Sequence, residues 1–232
     1  MLIVGFPAGP FGTNCFIVAT GPGSECVLID PGMDAVGGIG DAVAEHRLRP
    51  AAVLLTHGHL DHTWSVYPVC DGYGIPAFIH PDDRGQLRDP STGMSGQMAA
   101  ALQAMAGGRL PRIEPDEVLA LADGQALDLV GLSLTVRHGP GHTPGSVSFH
   151  GSTPQAPVMF SGDLLFEGSI GRTDLPGGDH RAMLRSLAQV VLPLPGETVV
   201  LPGHGGSTTI DRERRSNPYL QGLATPPAAK GM

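Results

Sequence analysis

The segment His57-Gly58-His59-Leu60-Asp61-His62 places three imidazoles and one carboxylate within six consecutive positions. Neutral imidazole and carboxylate groups are the ligands that zinc and its first-row neighbours prefer in proteins. Such a polar cluster is costly to bury unless a cation or a counter-charge satisfies it. The segment therefore predicts a metal site, and the alternative is a surface loop that happens to be rich in histidine.

The residues on either side of this segment indicate how it is held. Residues 51–55 form a short apolar run that predicts a buried strand, and residues 63–67 can begin a helix. The ligand-type side chains then lie on a tight loop that leaves a strand end. Gly58 is small, and we expect it to let the chain bend so that His57 and His59 point the same way.

Three further ligand-type side chains stand in the same kind of setting. His142, Asp163 and His204 each follow a strand-like run and lie beside glycine, which lets the backbone come close to a metal. Each signal is weak alone, because a single histidine after a strand is more often structural. Together with the dense first segment, they indicate one site built on loops at strand ends.

The hydrophobic pattern repeats in the two halves of the chain as strands, then a ligand loop at a strand end, then a helix. The predicted strands cover 1–6, 13–19, 26–29, 51–55, 76–79, 118–121, 126–130, 132–137, 146–150, 157–161 and 198–201, and the predicted helices cover 34–47, 94–105 and 179–191. This indicates two similar halves that face one another, in an α/β or α+β fold with mostly antiparallel strands. The methionines at 94–105 are expected to pack in the core. We expect one domain over 1–220 and a flexible tail over 221–232, which is rich in Pro, Ala and Gly.

The composition of the sequence indicates which kinds of binding partner and which cellular compartment to expect. The formal net charge of −8 over 232 residues argues against a nucleic-acid partner. No apolar run in the sequence approaches the length of a bilayer span, and residues 1–7 resemble a strand more than a signal peptide. Three cysteines give no disulfide framework. We therefore expect a soluble cytoplasmic protein without a membrane partner, whose oligomeric state the sequence leaves open.

The ligand set as a whole resembles that of a known family. The matching positions, which span essentially the whole chain, resemble the full ligand set of the metallo-β-lactamase superfamily and are His57, His59, Asp61, His62, His142, Asp163 and His204. Asp30, at the end of an early strand, also matches the first motif of that superfamily. The segments 13–16, 141–146 and 168–174 are similar to the glyoxalase II group, the hydroxyacylglutathione hydrolases, particularly their short bacterial form.

The resemblance implies a four-layer αβ/βα sandwich with two divalent metal ions at one sheet edge, zinc foremost, with iron or manganese as alternatives. It assigns the first ion to His57, His59 and His142, the second to Asp61, His62 and His204, and a bridging role to Asp163. Two nearby cations can lower the pKa of a shared water toward neutrality and so provide a hydroxide that attacks a carbonyl carbon. Asp61 and Asp163 are therefore the catalytic candidates alongside that metal-bound hydroxide. Asp30 would hold the histidine loop in place, and its alternative role is to initiate a turn before Pro-Gly.

The activity that the resemblance implies is thioester hydrolysis of the glyoxalase II type, in which S-D-lactoylglutathione or a related 2-hydroxyacyl thioester gives a hydroxy acid and a thiol. One alternative is a persulfide dioxygenase, which shares this fold but uses a single iron, and another is a lactonase. The complete second set of Asp61, His62 and His204 favours the hydrolase. The sequence leaves the thiol and the acyl group open.

Two arginines are candidates for substrate contacts. Arg172 lies on a loop close to Asp174, and Arg215 lies in a segment, 211–219, that can form a helical turn. Arginine suits paired contacts with carboxylates, such as those of a thiol like glutathione. The alternatives are a local pair between Arg172 and Asp174, and a solvated helix end around Arg215.

Overall fold

The computed structural model of the chain describes residues 1–105, 107–108 and 110–223. Within these ranges, twelve strands form two six-stranded sheets. The first sheet has the order β1-β2-β3-β4-β5-β6, with β1 Leu2–Ala8, β2 Thr13–Ala19, β3 Glu25–Ile29, β4 Arg49–Leu54, β5 Ala77–Ile79 and β6 Val118–Ala120. The second has the order β12-β11-β10-β9-β8-β7, with β7 Ala126–Leu129, β8 Leu132–His138, β9 Val147–Ser152, β10 Pro157–Gly162, β11 Val199–Pro202 and β12 Thr208–Thr209.

Helices connect these strands. They are α1 Ala35–His46, α2 Leu60–Thr63, α3 Val66–Tyr73, α4 Arg84–Arg88, α5 Gly96–Met105, α6 His180–Ser186 and α7 Ile210–Ser216. Single 3-10 turns lie at Pro81–Asp83 and Pro90–Gly93, and a π-helical turn, Leu187–Val191, continues α6. Asp179 caps the N-terminus of α6, and its carboxylate accepts hydrogen bonds from the backbone N–H groups of Arg181 and Ala182.

The two sheets pack face to face, and helices cover their outer faces. Strand β2 shows how the sequence produces this, because successive side chains of a strand point to opposite faces. Cys15 and Ile17 pack in a core shared with α1 and α3, whereas Phe16 and Val18 pack in a core between the two sheets. A third core joins the second sheet to α6 and α7. These three cores separate four layers, so the predicted αβ/βα sandwich is confirmed.

The prediction of mostly antiparallel strands is wrong for the first sheet. There β3–β4, β4–β5 and β5–β6 pair in parallel, and only β1–β2 and β2–β3 are antiparallel. Parallel neighbours need a long crossover connection, and α1 supplies one between β3 and β4. The second sheet has a single parallel pair, β10–β11, among its described strands.

The predicted strands and helices otherwise agree with the structure to within a few residues. Helix α2, the two 3-10 turns, α4 and strand β12 were not predicted, whereas β5 matches the strand predicted at 76–79 and α7 matches the helical turn predicted within 211–219. Residues 221–223 are described, and Leu223 packs on the third core. The rest of the predicted tail, 224–232, lies outside the described residues, and the single domain over 1–220 stays a prediction. No helix in the described ranges is long and apolar enough to cross a membrane.

His150 on β9 makes the stability of the fold depend on pH. Burial and the nearby Arg137 lower the pKa of His150 to about 4. An unfolded histidine titrates near 6.5, so the unfolded state binds more protons between these two values and stability falls as the pH drops through that window. We expect this group to remove up to about 2 kcal/mol of unfolding free energy between pH 7 and pH 5.

Urea titrations of the wild type and of His150→Gln at both pH values measure this loss. Glutamine keeps a hydrogen-bonding group beside Ser148, whose hydroxyl lies 2.8 Å from His150 Nε2. The difference between the two proteins isolates His150 from the other histidines. Equal pH dependence in both proteins would contradict the assignment.

Candidate metal centre

The seven predicted ligands come together at one edge of the sandwich, on the loops that follow β4, β8, β10 and β11. Within each of three groups, one ligand atom per residue lies within 4.8 Å of the others. These groups are His57, His59 and His142; Asp61, His62 and His204; and His57, His62 and Asp163. The first two groups coincide with the two ligand sets that the family resemblance implies.

Asp163 touches both sets. Its Oδ2 atom lies 3.4 Å from His142 Nε2 in the first set and 3.7 Å from His204 Nε2 in the second. Its Oδ1 atom lies 3.3 Å from His62 Nε2. One carboxylate, 9% exposed, is thus placed where it could bind two ions at once.

The loop that carries His204 is held close to Asp163 by glycine and by Asn14. A Cβ atom at Gly203 would lie 2.4 Å from Asp163 Oδ1, so a side chain there would collide with the ligand. The Asn14 side chain donates to the carbonyls of Pro202 and Gly205, both at 2.9 Å. The 13–16 segment therefore holds the His204 loop in place through Asn14.

Partners outside the cluster orient three of the imidazoles. His142 Nδ1 donates to the carbonyl of Arg172 at 2.7 Å, and His204 Nδ1 donates to the carbonyl of Phe11 at 3.2 Å. Because a carbonyl can only accept, each ring presents an unprotonated Nε2 to the cluster when neutral. His62 Nδ1 lies 3.0 Å from Asp30 Oδ2, so its Nε2 also faces the cluster.

Asp30 is placed as the sequence predicts for a residue that holds the histidine loop. Its Oδ1 accepts from the backbone N–H of Thr56 at 2.8 Å, and its Oδ2 accepts from the Thr56 hydroxyl at 2.6 Å. Its own backbone has φ +50°, in the left-handed region that Asp tolerates better than most residues. The same hydroxyl lies 3.0 Å from His57 Nδ1, so Asp30 reaches both His57 and His62.

The charges divide the cluster into two parts. Burial and the neighbouring His62 hold the pKa of His57 well below its usual value, and burial and His142 lower the pKa of His59 to about 3. Burial also disfavours charge on His62, but Asp163 and Asp61 outweigh it and raise the pKa of His62 well above its usual range. His57 and His59 are therefore neutral imidazoles, while the second set holds charge of both signs.

The residues present fit divalent metal ions. His57 Nε2 and Asp163 Oδ1 are buried and form no hydrogen bond with any described residue. An unsatisfied buried acceptor is costly, and a cation would satisfy both atoms. A donor set of imidazole nitrogens and carboxylate oxygens suits zinc, iron and manganese.

Asp83 is a residue of this site that the sequence analysis did not single out. Its fully buried carboxylate accepts from Gly58 N at 2.9 Å, from Thr143 Oγ1 at 2.6 Å and from Gly145 N at 2.7 Å. It thereby ties the His57–His59 loop to the loop of His142. Burial raises the pKa of Asp83, and these three hydrogen bonds oppose that shift. Asp83 lies shortly after β5, as Asp30 lies after β3, and this shared setting is the signal that could have revealed it.

The structure gives a different reason for Gly58 from the predicted bend. Gly58 is not among the residues with positive φ. A Cβ atom there would lie 2.9 Å from the carbonyl oxygen of Asp83 and from Gln86 Cβ. Glycine is needed because the loop packs tightly against the segment that begins α4.

The two candidate arginines lie in different places. Arg172 lines the cleft beside the cluster, and its Nε and Nη2 atoms donate to the two carboxylate oxygens of Asp174, both at 2.8 Å. Arg215 lies on α7 with 72% of its side chain exposed, 3.7 Å from Asp211, and does not line that cleft. The structure brings Arg172 to the site and gives the predicted contact of Arg215 no support.

One further group of ligand-type side chains lies elsewhere in the described ranges, formed by His80, Asp82 and His138. The two imidazoles stack face to face, with ring centroids 4.2 Å apart and planes 5° from parallel. Nitrogen lone pairs lie in the plane of the ring, so those of stacked rings run parallel and do not converge on one ion. His138 Nε2 also donates to the carbonyl of Pro144 at 2.8 Å. The rings of His80 and His138 therefore form a packing contact between the two sheets.

A four-layer sandwich with paired histidine–aspartate sets at one edge defines a class of metal-dependent hydrolases. The chain belongs to the metallo-β-lactamase superfamily, whose family profile matches residues 8–204. It is similar to hydroxyacylglutathione hydrolase GloC of Haemophilus influenzae, with 34% identity over 217 residues, 92% of this chain and 95% of that protein.

Two solved structures are similar over nearly the whole chain. The B3 metallo-β-lactamase BLEG-1 has a TM-score of 0.80 and 38% identity, covering 95% of this chain and 100% of that one. TTHA1623, solved in a di-iron-bound form, has a TM-score of 0.76 and 40% identity, with the same coverage. The chain is thus a metallo-hydrolase of this superfamily with histidine–aspartate sets suited to two metals.

Proposed function

We propose that the protein is a thioester hydrolase of the glyoxalase II type that works with two divalent metal ions. The observation that carries this proposal is the complete second set, Asp61, His62 and His204, beside the first set and joined to it by Asp163. The similarity to the hydroxyacylglutathione hydrolase GloC supports a thioester as the substrate. The proposed partner is accordingly a small-molecule thioester, and a cytoplasmic location stays a prediction.

Two bound divalent ions would supply an activated water and stabilise negative charge on a carbonyl oxygen. His57, His59 and His142 would hold one ion, and burial disfavours the charged forms of His57 and His59, so both offer neutral imidazoles. Asp61, His62 and His204 would hold the other. Asp61 is the more open of the two proposed catalytic carboxylates, with 24% of its side chain exposed against 9% for Asp163.

Contacts around the second set keep these donors in place. Asp61 Oδ2 accepts from Thr13 Oγ1 at 3.3 Å and lies 3.2 Å from His204 Nε2. Asp30 fixes the ring of His62 from the other side. The chain itself thus aims the side chains and limits their motion, which is what precise ligand geometry requires.

Zinc is the proposed metal, with iron as the alternative that the di-iron form of TTHA1623 favours and manganese as a third possibility.

A β-lactam amide is the second candidate substrate, because BLEG-1 is a B3 metallo-β-lactamase at 38% identity. Both substrates present a carbonyl carbon for attack by water. They differ in the leaving group, which an assay can identify.

The test combines metal analysis of the purified protein with a substrate panel. Zinc-loaded and iron-loaded protein would be given S-D-lactoylglutathione, further 2-hydroxyacyl thioesters, a lactone, a persulfide and a β-lactam. We expect thiol release from a thioester without oxygen uptake. Oxygen uptake with the persulfide, together with an inert thioester, would indicate the dioxygenase. Turnover of the β-lactam or the lactone alone would show that this compound, and not a thioester, is the substrate.

A further inference from the structure

The cleft beside the ligand cluster is apolar on two sides. It has a volume of about 440 Å³, within the usual range for small-molecule sites, and His59, Asp61, Asp163 and His204 border it. One wall comes from α5 and the residues before it, with Met94, Met98 and Leu102. The other comes from the segment after β10, with Phe166, Ile170 and Leu175.

The charge of the described lining does not suit an anionic thiol. Apart from the histidines, Arg172 is the one cationic side chain among the described residues that line the cleft. Both of its donor atoms facing Asp174 are engaged at 2.8 Å, so the pair is close to neutral. Glutathione carries two carboxylates, and taking a carboxylate out of water without a partner is unfavourable.

The mouth of the cleft is apolar as well. Phe11 and Met98 are both cleft-lining residues, and 45% and 37% of their surfaces remain exposed. Exposed apolar groups around a concave site mark a place where apolar ligand surface is buried. Methionine side chains are flexible and adapt to hydrocarbon groups of different length.

We propose that the substrate is a thioester that carries an uncharged hydrocarbon group of medium length, on its acyl side or on its thiol side, in preference to a glutathione thioester. The inference rests on the proposed hydrolase activity and specifies its substrate class. The hydrocarbon group lies between the wall of α5 and the wall after β10, with the thioester carbonyl at the ligand cluster.

A chain-length series tests the proposal. The acyl arm uses acetyl, butyryl, hexanoyl and octanoyl thioesters of N-acetylcysteamine, and the thiol arm uses lactoyl thioesters of ethanethiol, butanethiol and hexanethiol. In one of the two arms, kcat/KM should rise by about fourfold for each buried methylene. The best substrate of that arm should have a higher kcat/KM than S-D-lactoylglutathione. A flat response in both arms, or a preference for the glutathione thioester, overturns the inference and leaves the hydrolase activity standing.

Binding provides a second measurement that needs no turnover. N-Acetyl-S-octylcysteamine is a thioether that cannot be hydrolysed, and its S-methyl form is the matched control. Calorimetry should show at least about thirtyfold tighter binding of the octyl compound, a conservative figure for the added methylenes. Equal binding contradicts the inference. Tight octyl binding by a metal-loaded protein that hydrolyses no thioester supports the cleft assignment and overturns the proposed function.

Two substitutions on α5 locate the hydrocarbon. Met98→Glu places a charge in the cleft wall, and we expect a loss of about tenfold or more in kcat/KM for the preferred long-chain thioester, with a smaller loss for the shortest one. Gln97→Glu adds the same charge at an exposed position next to it and is the control. Equal effects of the two substitutions would place the hydrocarbon elsewhere.

Arg172→Ala separates this inference from anion recognition. The substitution keeps the backbone carbonyl that orients His142 and removes only the guanidinium. Under the inference, KM for the preferred thioester stays within about twofold, because its hydrocarbon group contributes the binding free energy. A KM that rises about tenfold or more would show that an anionic group of the substrate pairs with Arg172.

Discussion

Asp163→Ala is expected to abolish the binding of both metal ions together with turnover. The carboxylate of Asp163 lies within 3.4 Å of His142 in the first ligand set and of His62 in the second, so its removal takes a ligand from each. Residues that merely support a ligand already contribute about tenfold to a hundredfold in metal affinity. We therefore expect Asp163→Ala to lower the affinity for each of the two ions by more than about a hundredfold.

Elemental analysis after dialysis against a weak chelator measures the metal content, and circular dichroism checks that the variant is folded. Asp128→Ala is the matched control, because it removes an exposed carboxylate from β7 in the second sheet. A folded Asp163→Ala protein with two equivalents of metal and full turnover would show that Asp163 does not bridge the sites. Asp163→Asn adds a finer comparison, since it keeps the shape and removes the charge.

The sequence was sufficient to predict the ligand loops, because the features that define them are local. Ligand-type residues beside glycine at the ends of apolar runs can be read within a few positions, and the structure places all seven at one edge. The strands and the longer helices follow from the same local periodicity. The direction of strand pairing does not, since β3 and β4 are parallel only because α1 returns the chain to the same end of the sheet.

The contacts that hold the loops were harder to predict because they join distant parts of the chain. Asp83 meets Gly58 across 25 positions and Gly145 across 62, and no spacing rule links them. The same holds for Asn14 and the loop of His204.

The prediction that the methionines of the 94–105 segment pack in the core is confirmed for Met94 and wrong for Met98, which is 37% exposed. Met94 packs in the first core, as predicted, yet it also lines the cleft. A hydrophobic pattern shows that a side chain is buried against something, but it does not distinguish protein from ligand.

Asp83→Asn is expected to weaken metal binding while leaving the fold in place. Asp83 uses both carboxylate oxygens to hold three donors, on the loop between His57 and His59 and on the loop after His142. Asparagine keeps one acceptor oxygen and turns an N–H₂ group toward the other donors, so at least one donor is left unsatisfied. The two loops then shift relative to each other, and the three histidines of the first set no longer converge as closely. We expect a loss of about tenfold to a hundredfold in affinity for one metal ion.

Chelator competition with zinc measures the stepwise affinities, and chemical unfolding of the metal-free protein measures stability separately. Asp82→Asn is the control, because the neighbouring carboxylate is 58% exposed and contacts only His80 among its described ion-pair partners. Asp83→Ala leaves the backbone N–H groups of Gly58 and Gly145 without this acceptor, at about 1–3 kcal/mol for each buried group, and can fail to fold. Asp83→Asn therefore distinguishes a role of Asp83 in stability from a role in positioning the ligand loops. If Asp83 serves stability alone, Asp83→Asn lowers the unfolding free energy of the metal-free protein and both zinc affinities match those of Asp82→Asn. If it positions the ligand loops, zinc affinity falls by far more than the control shows, because the coordination geometry depends on two loops that this carboxylate joins through its hydrogen bonds.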